Sequence, residues 1–266
     1  MPDEQHKAAR DRSLRRTLIK VPLITAFFWL IKVLTTGMGE TTSDYLVRRF
    51  VPQYAVVVAF VVFAGVLVLQ CATRRYIPWV YWLTVVMVSV FGTMAADVVH
   101  IVFHVPYIVS TVFFTVVLAA VFGLWYASER TLSIHSIYTL RRELFYWAAV
   151  LTTFALGTAA GDLIAIKFGL GFFVAGIVFA AIIAIPVIGY WKFGMNAVLA
   201  FWFAYIFTRP LGASFADWMA LSPQRGGLGW GTGPVSVVLA VLIAVLVGYL
   251  SLTHVDVDAD ELSEVR

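Results

Sequence analysis

One spacing recurs four times along this chain and leaves few folds open. Trp29, Trp82, Trp147 and Trp202 each follow a Phe or Tyr. Ten residues after each Trp stands a glycine (Gly39, Gly92, Gly157, Gly212), and five further on an aspartate (Asp44, Asp97, Asp162, Asp217). The pattern (F/Y)W-x9-G-x4-D runs through all four copies without an insertion. Repeats of this kind stack to bury a continuous core that no single copy could bury alone.

Each motif lies on the first of a pair of apolar segments. Eight such segments run at about 21–46, 53–71, 78–99, 107–127, 145–165, 171–191, 195–220 and 234–252. Each is near the ~20 residues a helix needs to cross a bilayer. The first is too long for a secretory leader and lacks a small-residue cleavage site. Composition agrees: 61% of the residues are hydrophobic and 13% charged, against about 45–50% and about 25% in soluble domains. A soluble enzyme, a nucleic-acid binder and a disordered chain are excluded. The expected fold is all-α, a polytopic membrane protein of eight transmembrane helices in four two-helix repeats. An arm over 1–20 precedes the membrane domain of 21–252, and a tail over 253–266 follows it. The repeats fall at about 21–72, 73–127, 140–191 and 195–252. Each holds two crossings, so all four would share one orientation, unlike inverted repeats.

The second segments carry a further level of duplication. Those of copies one and two open on Pro and an aromatic, at Pro52-Gln53-Tyr54 and Pro106-Tyr107. Those of copies three and four open on Gly-Leu-Gly and an aromatic, at Gly169–Phe172 and Gly227–Trp230. One helical hairpin duplicated twice accounts for this. The stretches Lys32–Glu40, Leu132–His135, Arg141–Glu143, Gly157–Asp162 and Arg209–Ser214 carry a resemblance. From about residue 20 to 252 the chain resembles bacterial membrane proteins defined by four tandem copies of a repeat of unknown function. In that family each repeat has two transmembrane regions and a characteristic tryptophan. The resemblance implies the fold and assigns no activity.

Lys and Arg outside the helices divide unevenly. Thirteen fall on the side of the N-terminal arm, among them Arg74, Arg75, Arg130, Arg141, Arg142 and Lys192. Four (Arg48, Arg49, Lys167, Arg225) fall on the other side. By the positive-inside rule both termini are expected in the cytoplasm, and the resemblance implies a bacterial inner membrane. The basic arm is read as a topology and lipid determinant, not as a nucleic-acid site. The single Cys71 excludes an internal disulfide.

Seven charged residues lie within the odd segments and none within the even ones: Lys32, Glu40, Asp44, Asp97, Asp162, Arg209 and Asp217. A charge at membrane depth costs at least ~2.5–3.5 kcal/mol and usually faces a bundle interior or wet cavity. The odd helices are therefore expected to line a shared interior while the even helices face lipid. The Trp and Gly positions serve packing between repeats. Four residues before each Asp stand Glu40, Thr93, Thr158 and Ala213, on the Asp face of the helix. The four Asp with Glu40, Thr93 and Thr158 form a candidate cation or proton site, with Lys32 and Arg209 balancing charge. Asp97, His100 and His104 at i, i+3 and i+7 form a candidate metal set, or else two interfacial histidines at a helix end. The glycine run Gly226–Gly233 lacks the context of a phosphate loop and reads as a turn.

The leading functional expectation is a transporter or channel for a cation, a divalent metal or a proton-coupled one. It needs no cofactor, though a bound metal cation and an oligomer both remain open. A second reading makes the aspartates helix-packing joints of a structural or partner-binding membrane protein. A third, an intramembrane aspartate-dependent enzyme, is disfavoured, because catalysis rarely needs four equivalent carboxylates.

Overall fold

The computed structural model describes residues 19–257; most of the basic arm and of the acidic tail lie outside the described residues. Eight long helices follow in order: α1 (Ala26–Arg49), α2 (Pro52–Ala72), α3 (Pro78–Asp97), α4 (Tyr107–Glu129), α5 (Leu140–Asp162), α6 (Phe172–Phe193), α7 (Ala197–Ala220) and α8 (Thr232–Thr253). Among the described residues there is no strand. Local chemistry sets the boundaries. Thr25, Thr139 and Asn196 cap α1, α5 and α7 by accepting first-turn backbone N–H groups on their side chains. Pro52 and Pro78 occupy first-turn positions, where the missing N–H has no cost. The duplication of the even helices is visible in their starts. α4 begins directly after Pro106, whereas α6 and α8 begin after Gly171 and Gly231, with φ of 74° and 86° that only glycine adopts freely. The first segment begins at Ala26 rather than 21 because Pro22 and the Thr25 cap precede it.

Seven of the eight helices are long and apolar enough to cross a membrane. The exception is α1, which carries Lys32, Glu40 and Asp44 along with several threonines. Its polar residues are nonetheless inside, since Lys32 is 1% and Glu40 7% exposed. Exposure separates the remaining helices into two classes. In α3, α5 and α7, 56%, 61% and 61% of the spanning window is buried; in α2, α4, α6 and α8 only 17%, 17%, 33% and 28%. The outer helices present Val, Ile, Leu and Phe outward along most of their length. Water would not tolerate so large an apolar surface. The fold is that of a polytopic membrane protein.

The four odd helices close a ring, α1 on α3, α3 on α5, α5 on α7 and α7 on α1. Each even helix packs mainly on the odd helix of the next copy: α2 on α3, α4 on α5, α6 on α7, and α8 back on α1. The packing unit is thus offset by one helix from the sequence repeat. Aromatic pairs mark the joints, with Phe63 stacked on Phe91 at 5.4 Å and Phe27 against Tyr249 at 5.3 Å. Because α8 returns to α1, the last copy completes the first.

The Trp end of the ring is closed by a polar plate. Lys20 Nζ donates to Glu143 Oε2 at 2.7 Å and to the Cys71 carbonyl at 3.0 Å. Gln70 donates to the other Glu143 oxygen at 3.1 Å, and Tyr76 donates to Asp256 at 2.6 Å. Trp202 Nε1 donates to the Leu132 carbonyl at 2.9 Å. Both ends of the described chain and two loops meet here.

Candidate functional site

The motif dictates a fourfold joint. Its first residue packs on the Trp of the next copy in every case: Phe28 on Trp82 (5.7 Å between centroids), Tyr81 on Trp147 (5.6 Å), Tyr146 on Trp202 (6.2 Å) and Phe201 on Trp29 (5.6 Å). The glycines repeat the relation. Gly39 lies against Ser89, Gly92 against Phe154, Gly157 against Arg209, and Gly212 against Thr36. In each pair the second residue stands three before the glycine of the next copy, so one contact is made four times around a closed ring.

Counting from the aromatic residue in steps of four gives the axis-facing stripe of each helix. The first layer is Phe28, Tyr81, Tyr146 and Phe201, with the Tyr81 and Tyr146 hydroxyls 2.5 Å apart. The second is Lys32, Val85, Val150 and Tyr205, and the third Thr36, Ser89, Phe154 and Arg209, all fully buried. The fourth is Glu40, Thr93, Thr158 and Ala213, also buried. The motif aspartates form the fifth layer and are more accessible, Asp217 excepted at 7% exposed.

Charge is concentrated in the middle of this stack. Arg209, 0% exposed, donates through Nη2 to Glu40 Oε2 at 2.6 Å, to Thr158 Oγ1 at 2.8 Å and to Thr93 Oγ1. One guanidinium from copy four thereby holds the equivalent position of all three other copies. Lys32 has no such partner. Among the described residues its Nζ finds no hydrogen-bond partner, and it rests 3.9 Å from the Phe154 ring centroid and 4.1 Å from that of Tyr205. Lys32 therefore does not balance a carboxylate; two aromatic faces hold it instead. Nor does Arg209 pair with a motif aspartate. Its partner is Glu40.

Beyond Arg209 a narrow cleft opens toward the aspartate end between α1, α5, α6 and α7, with room at its inner end for about one water-sized group. Glu40, Thr158, Asp162 and Asp217 line it, together with Gly161, Phe172, Ala213 and Ser214. The structure thus brings four of the seven expected cation-site residues to one opening. Thr93 joins them only through Arg209. Asp44 pairs instead with Arg48 at 2.6 Å, one turn along its own helix, and Asp97 lies outside the lining. Phe172 and Ser214 also line the cleft, and the sequence reading gives neither a place in the site. Phe172 opens an even helix, and Ser214 stands two after the motif glycine, where the other copies carry Thr41, Met94 and Ala159. The Gly-Leu-Gly-aromatic start shared with Trp230 marks Phe172 as a helix start and not as a site residue, and no shared pattern marks Ser214.

The expected metal set does not assemble. After Asp97 the backbone widens into a π turn over Val98–Val102 and reaches φ 53° at His104, which breaks the i, i+3, i+7 register. The His100 ring nitrogens lie 3.1 Å from the Val105 carbonyl and 3.3 Å from Ser110 Oγ. Among the described residues no three His, Cys, Asp or Glu side chains are close enough to share a metal ion. A π turn also follows Asp162, over Leu163–Lys167, while the aspartates of copies one and four stay in regular helix.

Packing between copies therefore rests on the aromatic pairs, the glycines and Arg209. Among the described residues no hydrogen bond or ion pair holds Asp97, Asp162 or Asp217. If these aspartates were joints, neutralising them would loosen the bundle. Asp97→Asn, Asp162→Asn and Asp217→Asn are each expected to stay within about 1 kcal/mol of the parent in unfolding free energy. Thermal unfolding of the purified protein in detergent checks this, and a large loss in all three would restore the joint reading.

Comparison with protein families matches the chain to a model described as Repeat of Unknown Function (DUF347), at residues 27–76, 80–131, 145–195 and 200–256. These stretches cover well over half of the chain, and each starts within two residues of a motif tryptophan. Comparisons with curated proteins and with solved structures find no match.

Proposed function

Because this chain belongs to the family built on the Repeat of Unknown Function (DUF347), whose description names no activity, we propose a function from the site itself: a membrane carrier for a cation, coupled to protons. One observation carries the reading. A carboxylate-lined cleft, open at one end of the ring, ends on a buried Glu40–Arg209 pair, and the opposite end is closed by aromatic layers and a polar plate.

The axis is filled by Phe154, Arg209, Tyr205 and Lys32. A continuous open pore does not fit this packing, and a carrier accessible from one side at a time does. A cation entering the cleft meets Asp217 and Asp162 and then competes with Arg209 for Glu40. Arg209 keeps the Thr93 and Thr158 hydroxyls as alternative partners, so its release from Glu40 leaves it held. Pro210 follows Arg209 directly inside α7. Proline removes one helical hydrogen bond and crowds the preceding turn, so α7 has a bending point where the pair would have to shift. A proton arriving at Glu40 would release Arg209 in the same way, which supplies the coupling.

In this reading all eight helices cross the bilayer, α1 included, with its charges turned to the ring. The four repeats run in the same direction, and the termini and polar plate face the cytoplasm of a bacterial inner membrane, in line with the Lys and Arg distribution. The carrier is not an enzyme and uses no cofactor.

Flux into proteoliposomes, scored with a lumenal pH dye against a panel of inorganic and organic cations, tests the reading. Glu40→Gln, Asp162→Asn and Asp217→Asn are each expected to slow cation-dependent proton movement by about tenfold or more, the effect of losing ~1.4 kcal/mol at the site. Asp44→Asn, outside the cleft, is expected to retain most of it. Parent rates in all three cleft variants would overturn the proposal.

A further inference from the structure

We infer that the cleft is shaped for a primary organic ammonium group rather than for a metal ion; the inference rests on the carrier reading above and names its substrate class.

The first ground is the state of the lining. Ser214 is 2% and Asp217 7% exposed, both line the cleft, and no hydrogen bond within the described residues engages either side chain. Their oxygens open on the cleft rather than on protein, so a polar occupant of the cleft would be their partner. Neighbouring Thr158 already accepts from Arg209 and donates to the Phe154 carbonyl at 3.1 Å. Glu40 keeps one oxygen free beside Arg209, and the acceptors away from that guanidinium are the Ser214 hydroxyl and the Asp162 and Asp217 carboxylates. An alkylammonium head carries three N–H donors on one compact centre. Three acceptors around one opening match it.

The second ground separates ammonium from metal. A divalent cation held without its water shell needs several oxygen ligands within about 2.0–2.6 Å of one point, and among the described residues no three His, Cys, Asp or Glu side chains could hold a metal ion. Phe172 and Gly161 form part of the wall. An aromatic ring beside carboxylates attracts an organic cation through its face and gives the attached alkyl chain an apolar surface. A strongly hydrated metal ion gains nothing from it. Glu40 and Thr158, both held by Arg209, line the inner end of the cleft and leave the head group beside Asp162 and Asp217, with the chain directed to the mouth.

The test uses the full chain, purified in detergent, with n-propylammonium as the probe. Calorimetric titration and the shift in melting temperature are read in parallel with magnesium, manganese and neutral n-propanol. Saturable binding and stabilisation by n-propylammonium alone are expected. Phe172→Leu and Ser214→Ala should each weaken it by about five- to tenfold, and Asp217→Asn should weaken it further. Asp162→Asn serves as a second carboxylate variant if Asp217→Asn does not fold. Binding of magnesium or manganese without n-propylammonium overturns the inference and leaves cation carriage standing. Unchanged n-propylammonium binding in the Phe172, Ser214 and carboxylate variants overturns the assigned site. Ammonium binding that needs these residues, but with no flux of any cation in the proteoliposomes, supports the inference while overturning the carrier reading.

Discussion

Replacing Arg209 with methionine is expected to remove about 3–5 kcal/mol of stability, the usual cost of taking one member from a buried ion pair. The loss follows from what remains. Glu40, 7% exposed, would keep a carboxylate with no cation, and the hydroxyls of Thr93 and Thr158 would lose their shared donor. Three of the four odd helices are tied to the fourth through this one side chain, so the effect reaches the whole ring. The double variant Glu40→Gln with Arg209→Met is expected to recover most of the loss, because a well-packed neutral pair can replace a buried ionic one at little cost. Arg209→Lys should fall between, since an ammonium keeps the charge and loses the planar fork. Reversible unfolding of the purified protein in mixed micelles measures all three. An Arg209→Met variant as stable as the parent would show that the guanidinium holds nothing together.

The fold was legible in the sequence because the bilayer permits so little. Apolar runs of spanning length give the helices, and the uninterrupted tryptophan–glycine–aspartate spacing gives four equivalent units. The segregation of seven charges onto the odd segments foretold which helices lie inside. The position four before each aspartate was also readable as a site, and three of its four residues meet at Arg209. Partner identity was not readable. Arg209 and Asp217 share a helix and Lys32 and Glu40 another, so spacing alone offers several pairings. Only the ring, with α7 beside α1, decides for Glu40 and Arg209 and leaves Lys32 to the Phe154 and Tyr205 rings. The offset by which each even helix packs on the following copy has no local mark either, because it is a property of ring closure. The histidine set failed for a local reason, as a periodicity argument assumes a regular helix and the backbone after Asp97 is a π turn.

Substituting the motif glycines, where the odd helices cross, should give large steric effects. A Cβ at Gly39 would overlap the Ser89 side chain and stand 2.9 Å from its backbone carbon. At Gly212 it would overlap Thr36 Oγ1 and stand 2.7 Å from the Val33 carbonyl oxygen, and at Gly157 it would overlap the stem of Arg209. At Gly92 the nearest atom is Phe154 Cβ, at 2.9 Å. Gly65 and Gly123, on the outer helices α2 and α4, have nothing within 4 Å. All six are helical, so alanine brings each the same gain in propensity, up to about 1 kcal/mol. At Gly65 and Gly123 that gain is unopposed, and Gly→Ala is expected to be neutral or stabilising. At Gly39, Gly157 and Gly212 overpacking of about 1–3 kcal/mol or more opposes it, because backbone atoms at the first and last, and the Arg209 Cβ and Pro210 ring at Gly157, cannot swing aside as a side-chain tip can. Gly92→Ala should be the mildest of the four. Pairing Gly39→Ala with Ser89→Gly removes the overlapping side chain but not the nearby backbone carbon, so partial recovery is expected, and it would locate the fault at the α1–α3 crossing. Melting temperatures across the series decide the matter. Equal effects at motif and outer glycines would mean that the odd helices do not approach as closely as the ring requires.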